Sequence, residues 1–282
     1  MRNYQENGLN TRLRTNFQNI IWDYYHTHQR TLPWRETTNP YHIFVSEFML
    51  QQTQAPRVVP KYERFIEKFP SFHALSEAVF PDVLQLWQGL GYNRRARWLH
   101  DAAKRIISDH KGRLPDDVEA LKKIKGIGHA TASEMVSFAY NKPTAFIETN
   151  IRRVFIYFFF PRKTDVKDKE IMKLVEYMVD KENPREWYYA LMDYGVFLKK
   201  KYPKRNPNKR SAKYKKQSKF EGSDRQIRGK LLKLLLKKPG LTSEQIVNAI
   251  SGEQNRILKL LQNLVGEEFV IEESQKYYIK ND

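Results

Sequence analysis

From Thr11 to about Lys200, apolar residues recur at three- and four-residue spacing, and this periodicity limits the fold more than any other feature. The segments 83–87 and 99–106 show it clearly. Side chains at this spacing share one face of an α-helix, whereas a half-buried strand would alternate polar and apolar residues. No convincing alternating run interrupts the pattern, and prolines punctuate it where helices start or loops turn. The pattern predicts an all-α domain over residues 1–198.

A strongly basic segment follows this domain. Residues 199–219 contain eleven Lys or Arg side chains and no acid. Repulsion among like charges should keep such a segment extended, and its side chains can bind phosphate backbones by releasing counterions. We interpret residues 199–222 as a linker that either stays solvated or clamps a nucleic-acid backbone.

Residues 223–282 combine short helices with two short strands. Helices are predicted near 227–236, 242–250 and 254–265, and strands at 269–272 and 276–279. Glu273, Ser274 and Gln275 form the predicted turn between the strands. This order of elements is typical of a winged-helix-like module, which binds DNA or protein.

Charge and composition restrict the partners and the compartment. The 282-residue chain carries a formal net charge of +18, and a strongly positive surface attracts nucleic acids and other polyanions. No apolar stretch approaches the roughly 20 residues of a membrane-spanning helix, and residues 1–18 lack the apolar core of a secretion signal. We therefore expect a cytoplasmic protein with no membrane partner. The sequence has no cysteine, which excludes disulfides, thiolate nucleophiles and Cys-ligated zinc or iron–sulfur sites.

The most specific local motif is the segment 121–132, which reads LKKIKGIGHATA. One helix is predicted to end at Gly126, and a second helix begins directly after Gly128. Two glycines let the backbone approach a phosphate closely, and the N–H groups that open the second helix can bind that anion. Ile127 between them would anchor the turn in the core. The segment is predicted to form a helix-hairpin-helix, whose glycines either bind phosphate or serve the turn alone.

Three further blocks resemble the adenine DNA glycosylases that excise adenine mispaired with 8-oxoguanine. They are LPWR, NPY and VSEFMLQQTQ within 32–54, LWQGLGY and RAR within 86–97, and ALMDYG at 190–195. With the hairpin, they keep the family's order and spacing over residues 18–198, about two thirds of the chain. The resemblance implies the two-lobed, all-α helix-hairpin-helix glycosylase fold. Enzymes of this kind flip one base out of duplex DNA and cut its bond to the sugar.

The resemblance assigns three residues to catalysis. Glu47 matches the family's catalytic acid, and its apolar neighbours should desolvate the carboxyl, raising its pKa so that it can protonate N7 of a purine. Glu148 matches an aspartate that stabilises the oxocarbenium-like charge on the sugar. Because Glu148 is a methylene longer, altered substrate choice or a slower reaction is the alternative. Asn150 matches the asparagine that helps to position the sugar and the phosphate.

Other residues match family positions that contact DNA. Gln51, Gln52 and Tyr92 match the side chains that fill the stack or wedge the neighbouring bases apart when a base is flipped. Polar helix surface and a partly buried core tyrosine are the alternatives for these three. The remaining predicted DNA-binding residues belong to the hairpin and to the RAR block: Gly126, Gly128, His129, Thr131 and Arg95.

The sequence departs from the family at three points. Ala130 stands where strand-nicking relatives carry a lysine that forms a Schiff base, so we expect a monofunctional glycosylase that leaves an abasic site. Lys199 stands where most adenine glycosylases have the first of four cysteines that hold an iron–sulfur cluster. We therefore expect no cluster, no metal and no other cofactor. Residues 223–282 are too few, and wrongly patterned, for the family's Nudix-like domain that reads 8-oxoguanine.

These observations favour a monofunctional glycosylase of base excision repair that acts on adenine opposite 8-oxoguanine or guanine. Two alternatives stay open. One is a thymine or uracil mismatch glycosylase of the same fold, which the residues Ala130 and Glu148 suggest, and the other is a catalytically inactive DNA-binding protein. The expected partner is double-stranded DNA containing a mismatched or damaged pair. We expect the protein to act as a nucleoid-associated monomer.

Overall fold

Helices dominate the structure. The computed structural model describes residues 8–215 and 218–281, so part of the segment considered for a secretion signal and two residues of the basic linker lie outside the described residues. The helices are α1 (Thr11–His28), α2 (Pro40–Leu50), α3 (Ala55–Lys68), α4 (Phe72–Ser76), α5 (Phe80–Trp87), α6 (Arg94–His110), α7 (Val118–Lys122), α8 (His129–Tyr140), α9 (Thr149–Phe159), α10 (Asp168–Met178), α11 (Pro184–Lys201), α12 (Asp224–Lys237), α13 (Ser243–Ala249) and α14 (Gln254–Gly266). The strands are β1 (Leu241–Thr242), β2 (Val270–Glu273) and β3 (Lys276–Ile279), and 3-10 turns lie at Pro33–Arg35 and Pro207–Arg210.

Several helices begin at capping residues that the sequence encodes. Asn10, Ser71, Asp117 and Thr242 each accept, through the side chain, a backbone N–H of the turn that follows. These N–H groups have no partner within their own helix, so the caps fix where each helix starts. Among the described residues, none of the helices combines the length and the apolar character needed to cross a membrane.

The chain divides into two compact units, and the first contains the described residues of Met1–Glu47 and Pro115–Lys216. Its core is largely aromatic. Phe17 of α1 contacts Phe155 and Phe159 of α9 and Trp187 of α11, with ring centroids 5.1 to 5.9 Å apart. All four rings are buried, and tilted or edge-to-face contacts between them add to the stabilisation that comes from burial.

A buried carboxylate ties the loop after α1 to α11 in this unit. Asp193 of α11 is 2% exposed, and it accepts hydrogen bonds from the backbone and side chain of Arg30 and from both terminal nitrogens of Arg35. The distances run from 2.6 to 2.9 Å. A buried charge is tolerated when it is paired and fully hydrogen-bonded, which is the case here.

The second unit contains Phe48–Leu114 and the described part of Gln217–Asp282. The C-terminal module therefore packs on helices that lie far from it in the sequence. Phe80 of α5 contacts Phe269, with ring centroids 5.9 Å apart, and Arg97 of α6 donates to the carbonyl oxygen of Glu268 over 3.2 Å. Glu267 forms ion pairs with one arginine of α6 and one of α12.

The C-terminal module is winged-helix-like, as predicted. The strands β2 and β3 form an antiparallel hairpin in which Val270 pairs with Ile279. The sheet has a third strand, β1, so that its order is β1-β3-β2 and Leu241 pairs with Tyr277. The sequence did not predict β1 because a strand of two residues is too short to show an alternating pattern.

Part of the basic segment is folded rather than extended. Its first three lysines continue α11, and Pro207–Arg210 form a 3-10 turn. Val166 donates to the carbonyl oxygen of Arg210 and accepts from the N–H of Ala212, at 2.8 and 3.0 Å. The prediction of an extended chain is wrong for this stretch because backbone hydrogen bonds and the burial of Asn208 outweigh the repulsion among the lysines.

Candidate active site

Glu47 lies on α2 and is 6% exposed. Its neighbours Ile43, Phe44 and Val45 are fully buried, as the apolar sequence of this helix predicts. Burial raises the pKa of Glu47 to about 8. The hydrogen bond with Glu134 opposes this rise, and the charge on Glu148 adds to it. At neutral pH the Glu47 carboxyl therefore has a proton that it can donate.

Glu148 is the N-cap of α9. Its Oε1 accepts hydrogen bonds from the backbone N–H groups of Asn150 and Ile151, both at 2.6 Å. Burial raises the pKa of Glu148, while the two N–H groups, Arg153 and Arg152 favour the carboxylate. Glu148 has one methylene more than the aspartate of the family. The longer side chain is accommodated as a helix cap, where the helix N-terminus favours an anion.

Asn150 is held in one orientation by two neighbours. Its Nδ2 donates to Oε2 of Glu148 over 3.2 Å, and its Oδ1 accepts from Nη1 of Arg153 over 2.7 Å. The same Nη1 donates to the carbonyl oxygen of Gly195 over 2.8 Å. Arg153 also donates from Nε to Asn206 of the basic segment, at 3.2 Å. Neither Arg153 nor Gly195 had a role predicted from the sequence.

A third carboxyl group joins Glu47 and Glu148. Glu134 of α8 forms a hydrogen bond with Glu47, and its charge also interacts with that of Glu148. Burial raises the pKa of Glu134 well above its ordinary value, and the charges on Glu47 and Glu148 raise it further. Glu134 was not predicted from the sequence, although an isolated acid in an otherwise small and apolar helix segment is a signal that could have indicated it.

The predicted hairpin is present in the first unit. Gly126 has φ +92°, a left-handed conformation that glycine adopts without strain, and Ile127 is buried as predicted. Gly128 is the N-cap of α8 and has no side chain to cap it. His129 is exposed, with Nε2 donating to the carbonyl oxygen of Ala145 over 3.1 Å, whereas Thr131 is buried.

The predicted base-stack residues lie in the second unit, in turns of unusual backbone conformation. Gln52 and Tyr92 have φ +56° and +48°, in the left-handed region that non-glycine residues rarely adopt. Gln51 is partly buried, Gln52 is exposed and Tyr92 is 38% exposed. Arg225 of α12 donates to the Tyr92 hydroxyl over 3.2 Å, so the C-terminal module contacts this residue directly.

Arg95 is buried rather than presented to a ligand, being 4% exposed. Its guanidinium donates to the carbonyl oxygens of Phe48, Met49 and Gly91 and to the Thr53 hydroxyl, at 2.8 to 3.1 Å. These bonds connect the turn after α2 to the turn before α6. The geometry therefore corrects the predicted direct contact with DNA: Arg95 supports the segments that contain Gln52 and Tyr92.

The described residues offer little to hold a metal ion. Across residues 8–215 and 218–281, no group of three or more His, Asp or Glu side chains has a metal-binding arrangement. An iron–sulfur cluster needs cysteine thiolates, and the sequence has none. Lys199, which stands at the first of the family's four cysteine positions, belongs to α11.

The hairpin, the helical fold and the carboxyl cluster are together the features expected of a helix-hairpin-helix domain. Residues 45–180 match the family model described as HhH-GPD superfamily base excision DNA repair protein. The chain thus contains a segment that matches the HhH-GPD superfamily, as the sequence motifs predicted.

Curated adenine DNA glycosylases are among the relatives that this chain matches. The enzyme of Buchnera aphidicola is 35% identical over 186 residues, which cover 64% of this chain and 52% of the relative. That of Mycobacterium tuberculosis is 43% identical over 137 residues, covering 48% and 45%. That of Mus musculus is 32% identical over 195 residues, covering 64% and 38%. The chain thus spans about half the length, or less, of the curated relatives it matches.

Solved structures share the fold. A thermostable thymine-DNA glycosylase superposes with a TM-score of 0.60 at 25% identity, covering 69% of this chain and 90% of that one. An endonuclease III–DNA covalent intermediate gives a TM-score of 0.57 at 20% identity, covering 67% and 87%. The second likeness concerns the fold alone. The predicted two-lobed helix-hairpin-helix glycosylase fold is confirmed.

Proposed function

We propose that this chain is a monofunctional DNA glycosylase of base excision repair that removes adenine mispaired with 8-oxoguanine or guanine. The observation that carries the proposal is the pairing of a buried, protonated Glu47 with Glu148, whose carboxyl group accepts two backbone N–H groups at a helix N-terminus. Cleavage of a purine–sugar bond needs one group that gives a proton and one that stabilises positive charge. The identity to curated adenine DNA glycosylases supports the choice of base.

In this proposal Glu47 is the general acid. Its proton goes to N7 of the flipped adenine, and the electron pair of the bond between C1′ and N9 leaves with the base. An acid with a pKa near the working pH combines a large protonated fraction with a strong tendency to give the proton up. A pKa of about 8 meets that requirement.

Glu148 and Asn150 then act on the sugar. The Glu148 carboxylate stabilises the oxocarbenium-like charge, and Asn150 positions the sugar and phosphate beside it. Water attacks C1′, and its proton returns to Glu47. Ala130 has no amine to form a Schiff base, so the product is an intact strand with an abasic site.

The DNA contacts in this proposal involve both backbone and side-chain groups. The backbone at Gly126 and Gly128, with His129 and Thr131 at the start of α8, binds a phosphate of the damaged strand. The side chains that occupy the disrupted base stack are Gln51, Gln52 and Tyr92. Arg95 acts indirectly, through the turns that it connects. We propose that the partner is mismatched or damaged duplex DNA, bound by a monomer, and that the protein is nucleoid-associated.

The proposal is tested by single-turnover excision on four duplexes, with A opposite 8-oxoguanine, A opposite G, T opposite G and U opposite G. Each reaction is analysed with and without alkali, which cuts abasic sites. We expect cleavage of the adenine strands only, and only after alkali. Cleavage at T or U would establish the mismatch-pyrimidine alternative, and cleavage without alkali would contradict the monofunctional assignment.

Glu47→Gln separates catalysis from binding in the same assay. The amide keeps the size of the side chain but has no proton to give, so excision should fall by a factor of about a hundred or more while duplex affinity is retained. An equal loss of affinity would mean that Glu47 is structural. If the wild-type protein binds the duplexes but cleaves none, the inactive DNA-binding alternative becomes the better one.

A further inference from the structure

Tyr92 is an exposed aromatic side chain on a turn whose backbone has an unusual conformation. Gly89, Gly91 and Tyr92 all have positive φ, at 93°, 74° and 48°. Glycine adopts this region freely, whereas in a tyrosine it costs energy and persists only where surrounding contacts hold it. The Tyr92 side chain is nevertheless 38% exposed. The turn therefore presents a large aromatic ring at the surface, and its conformation depends on the groups that contact it.

Arg95 and Trp87, which are both buried, hold the backbone of this turn. Arg95 donates to the carbonyl oxygen of Gly91 over 3.1 Å, and the indole N–H of Trp87 donates to the same oxygen over 3.1 Å. The guanidinium of Arg95 also lies 5.6 Å from the centroid of the Tyr92 ring, within the range of a cation–π contact. These contacts fix the backbone and one face of the side chain, and a different residue contacts the hydroxyl.

Arg225 contacts that hydroxyl from the C-terminal module. Its Nη1 donates to Oη of Tyr92 over 3.2 Å, and its Cζ lies 6.0 Å from the ring centroid. The other terminal nitrogen, Nη2, donates to the carbonyl oxygen and to the hydroxyl of Ser218, at 2.9 and 3.1 Å. A guanidinium holds its donors in one rigid plane, so the bonds of Nη2 also fix the direction of Nη1. The module thus holds Arg225 in the orientation that meets Tyr92.

Two arginines place positive charge beside this turn. Arg57 of α3 is exposed and donates to the carbonyl oxygen of Gly89, and Arg225 adds a second cation at the Tyr92 ring. Aromatic rings and cations together suit a nucleic acid, because the ring stacks on bases while the cations attract phosphates. The contact of Arg225 with Tyr92 therefore lies on a surface whose chemistry fits DNA.

We propose that Arg225 is a positioning residue that holds the Tyr92 side chain ready for insertion into the base stack. The C-terminal module thereby takes part in base flipping, in addition to packing on α5 and α6. The inference rests on the proposed function, which assigns Tyr92 to the disrupted stack, and deepens it by giving the module a role at the DNA. A side chain that is already held loses less conformational freedom when DNA binds, so flipping is favoured.

A double-mutant cycle on base flipping tests this role. The target adenine is replaced by 2-aminopurine on a 2′-fluorinated sugar, which resists cleavage, and the fluorescence of 2-aminopurine rises when the base leaves the stack. Arg225→Gln removes the charged donor, and Tyr92→Phe keeps the ring but removes the acceptor. Each should reduce the flipping equilibrium by about three- to tenfold, as expected for one partly exposed hydrogen bond. The double variant should lose no more than the greater single loss, because both substitutions remove the same contact.

The matched control is Lys233→Gln, which removes one positive charge from an exposed position on the same helix and should leave flipping unchanged. Urea denaturation should give all these variants the wild-type midpoint, because the contact lies at the surface. Losses that multiply in the double variant would overturn the proposal, since Arg225 would then act on DNA independently of Tyr92. Wild-type flipping by Tyr92→Phe would overturn it as well, even if Arg225→Gln fails to fold.

Adenine excision by the same proteins separates this inference from the proposed function. If the wild-type protein excises adenine and Arg225→Gln flips the base normally, the inference fails and the proposed function stands. If the wild-type protein flips 2-aminopurine and the losses are coupled as expected, but no adenine is excised, the proposed function fails and the role of Arg225 stands.

Discussion

At the scale of single residues, the position of Asn150 depends on how closely α11 approaches the start of α9. A Cβ atom at Gly195 would lie 2.5 Å from Asn150 Cβ and 2.6 Å from the Asn150 carbonyl oxygen. Both distances are far inside van der Waals contact, so any side chain here must push the two helices apart. Asn150 and its hydrogen bond to Glu148 would move with α9.

Gly195→Ala is accordingly expected to lower the free energy of unfolding by about 1–3 kcal/mol, the usual range for overpacking. Excision should fall more than about tenfold, because small displacements of catalytic groups are expensive. Urea denaturation and single-turnover excision measure the two effects. The matched control is Gly229→Ala in α12, where an added Cβ meets nothing within 4 Å. It should be neutral or stabilising by up to about 1 kcal/mol, and equal effects of the two substitutions would contradict the close helix contact.

The same scale includes a pH dependence of stability. The folded pKa of Glu47, about 8, lies above its ordinary value of 4.5, so the folded protein keeps a proton that the unfolded chain releases. Because of this difference in proton binding, Glu47 stabilises the folded protein fully below about pH 4.5, and this stabilisation is lost as the pH rises toward 8. Glu47→Gln removes the titration. It should be more stable than wild type near pH 8, by at least about 1 kcal/mol, and closer to wild type in stability near pH 5.

Urea denaturation at both pH values checks this expectation. The control is Glu176→Gln, which is exposed and should follow the wild-type dependence at every pH. If the free energies of Glu47→Gln and wild type differ by a constant amount from pH 5 to pH 8, the folded protein does not retain the proton on Glu47.

How far the site could be predicted depends on where the contacts of each residue originate. Glu47 was predictable because its own helix supplies the apolar neighbours that bury it. The positions of Glu148 and Asn150 followed from a motif that is local in the chain. The contact of Glu134 with Glu47 and those of Arg153 with Gly195 and Asn206 were not predictable, because they join residues far apart in the sequence, and single-sequence periodicity does not report such contacts.

At the scale of elements, α9 is held at both ends by the basic segment. Asn208 donates from Nδ2 to the carbonyl oxygen of Thr149 at the start of α9, over 2.9 Å. Arg210 donates to the carbonyl oxygens of Ile156 and Phe160 at its end. A cation at a helix C-terminus satisfies carbonyl groups that have no partner in the helix and interacts favourably with the dipole. The basic segment thus contains structural cations as well as exposed ones.

This distinction gives a prediction with two arms. Arg210→Ala should lower the free energy of unfolding by about 1–2 kcal/mol, because it removes charged hydrogen bonds to two carbonyl groups. It should leave the salt dependence of duplex binding unchanged. The paired substitution of the exposed Lys199 and Lys200 by Gln should leave stability unchanged. It should reduce the slope of log affinity against log salt by about 0.9 for each phosphate that these lysines neutralise in the wild-type complex.

Denaturation and binding titrations at several salt concentrations separate the two arms. If Arg210→Ala changed the salt slope as much as the lysine substitutions do, Arg210 would contact phosphate instead of α9. If the lysine substitutions left the slope unchanged, the exposed part of the segment would be a solvated linker, which is the alternative that the composition left open.

At the scale of the whole molecule, the domain boundaries predicted from composition differ from the boundaries of the two compact units. The predicted boundaries at residues 198 and 223 follow changes of charge and periodicity along the sequence. The compact units instead combine segments that are far apart, so that Phe48–Leu114 folds with the C-terminal residues. Helices and most strands could be predicted, since each shows its own period. The way in which these elements combine into two units could not be predicted. A contact such as that of Phe80 with Phe269 joins residues far apart in the sequence and leaves no local pattern.

The contact between Phe80 and Phe269 makes the C-terminal module part of the fold of the second unit. Phe269 is buried, so Phe269→Ala should lower the free energy of unfolding by about 3–5 kcal/mol, the usual effect of removing a core phenylalanine. Phe220→Ala is the control, since Phe220 is 59% exposed and should change stability by less than about 0.5 kcal/mol. Ending the chain before Ser218 should destabilise the protein more than Phe269→Ala does, because the whole surface of α5 and α6 that the module contacts would be exposed.

Calorimetry of the full chain and of the shortened chain decides between an integral module and an appended one. If the module is integral, the shortened chain should lose the transition of the second unit or show it at a much lower temperature, because buried surface on α5 and α6 becomes exposed. An appended winged helix on a linker would behave differently. The remaining chain would keep its melting temperature, Phe269→Ala would affect only the module's own transition, and the contacts of Glu267 and Glu268 with α6 would contribute nothing to stability.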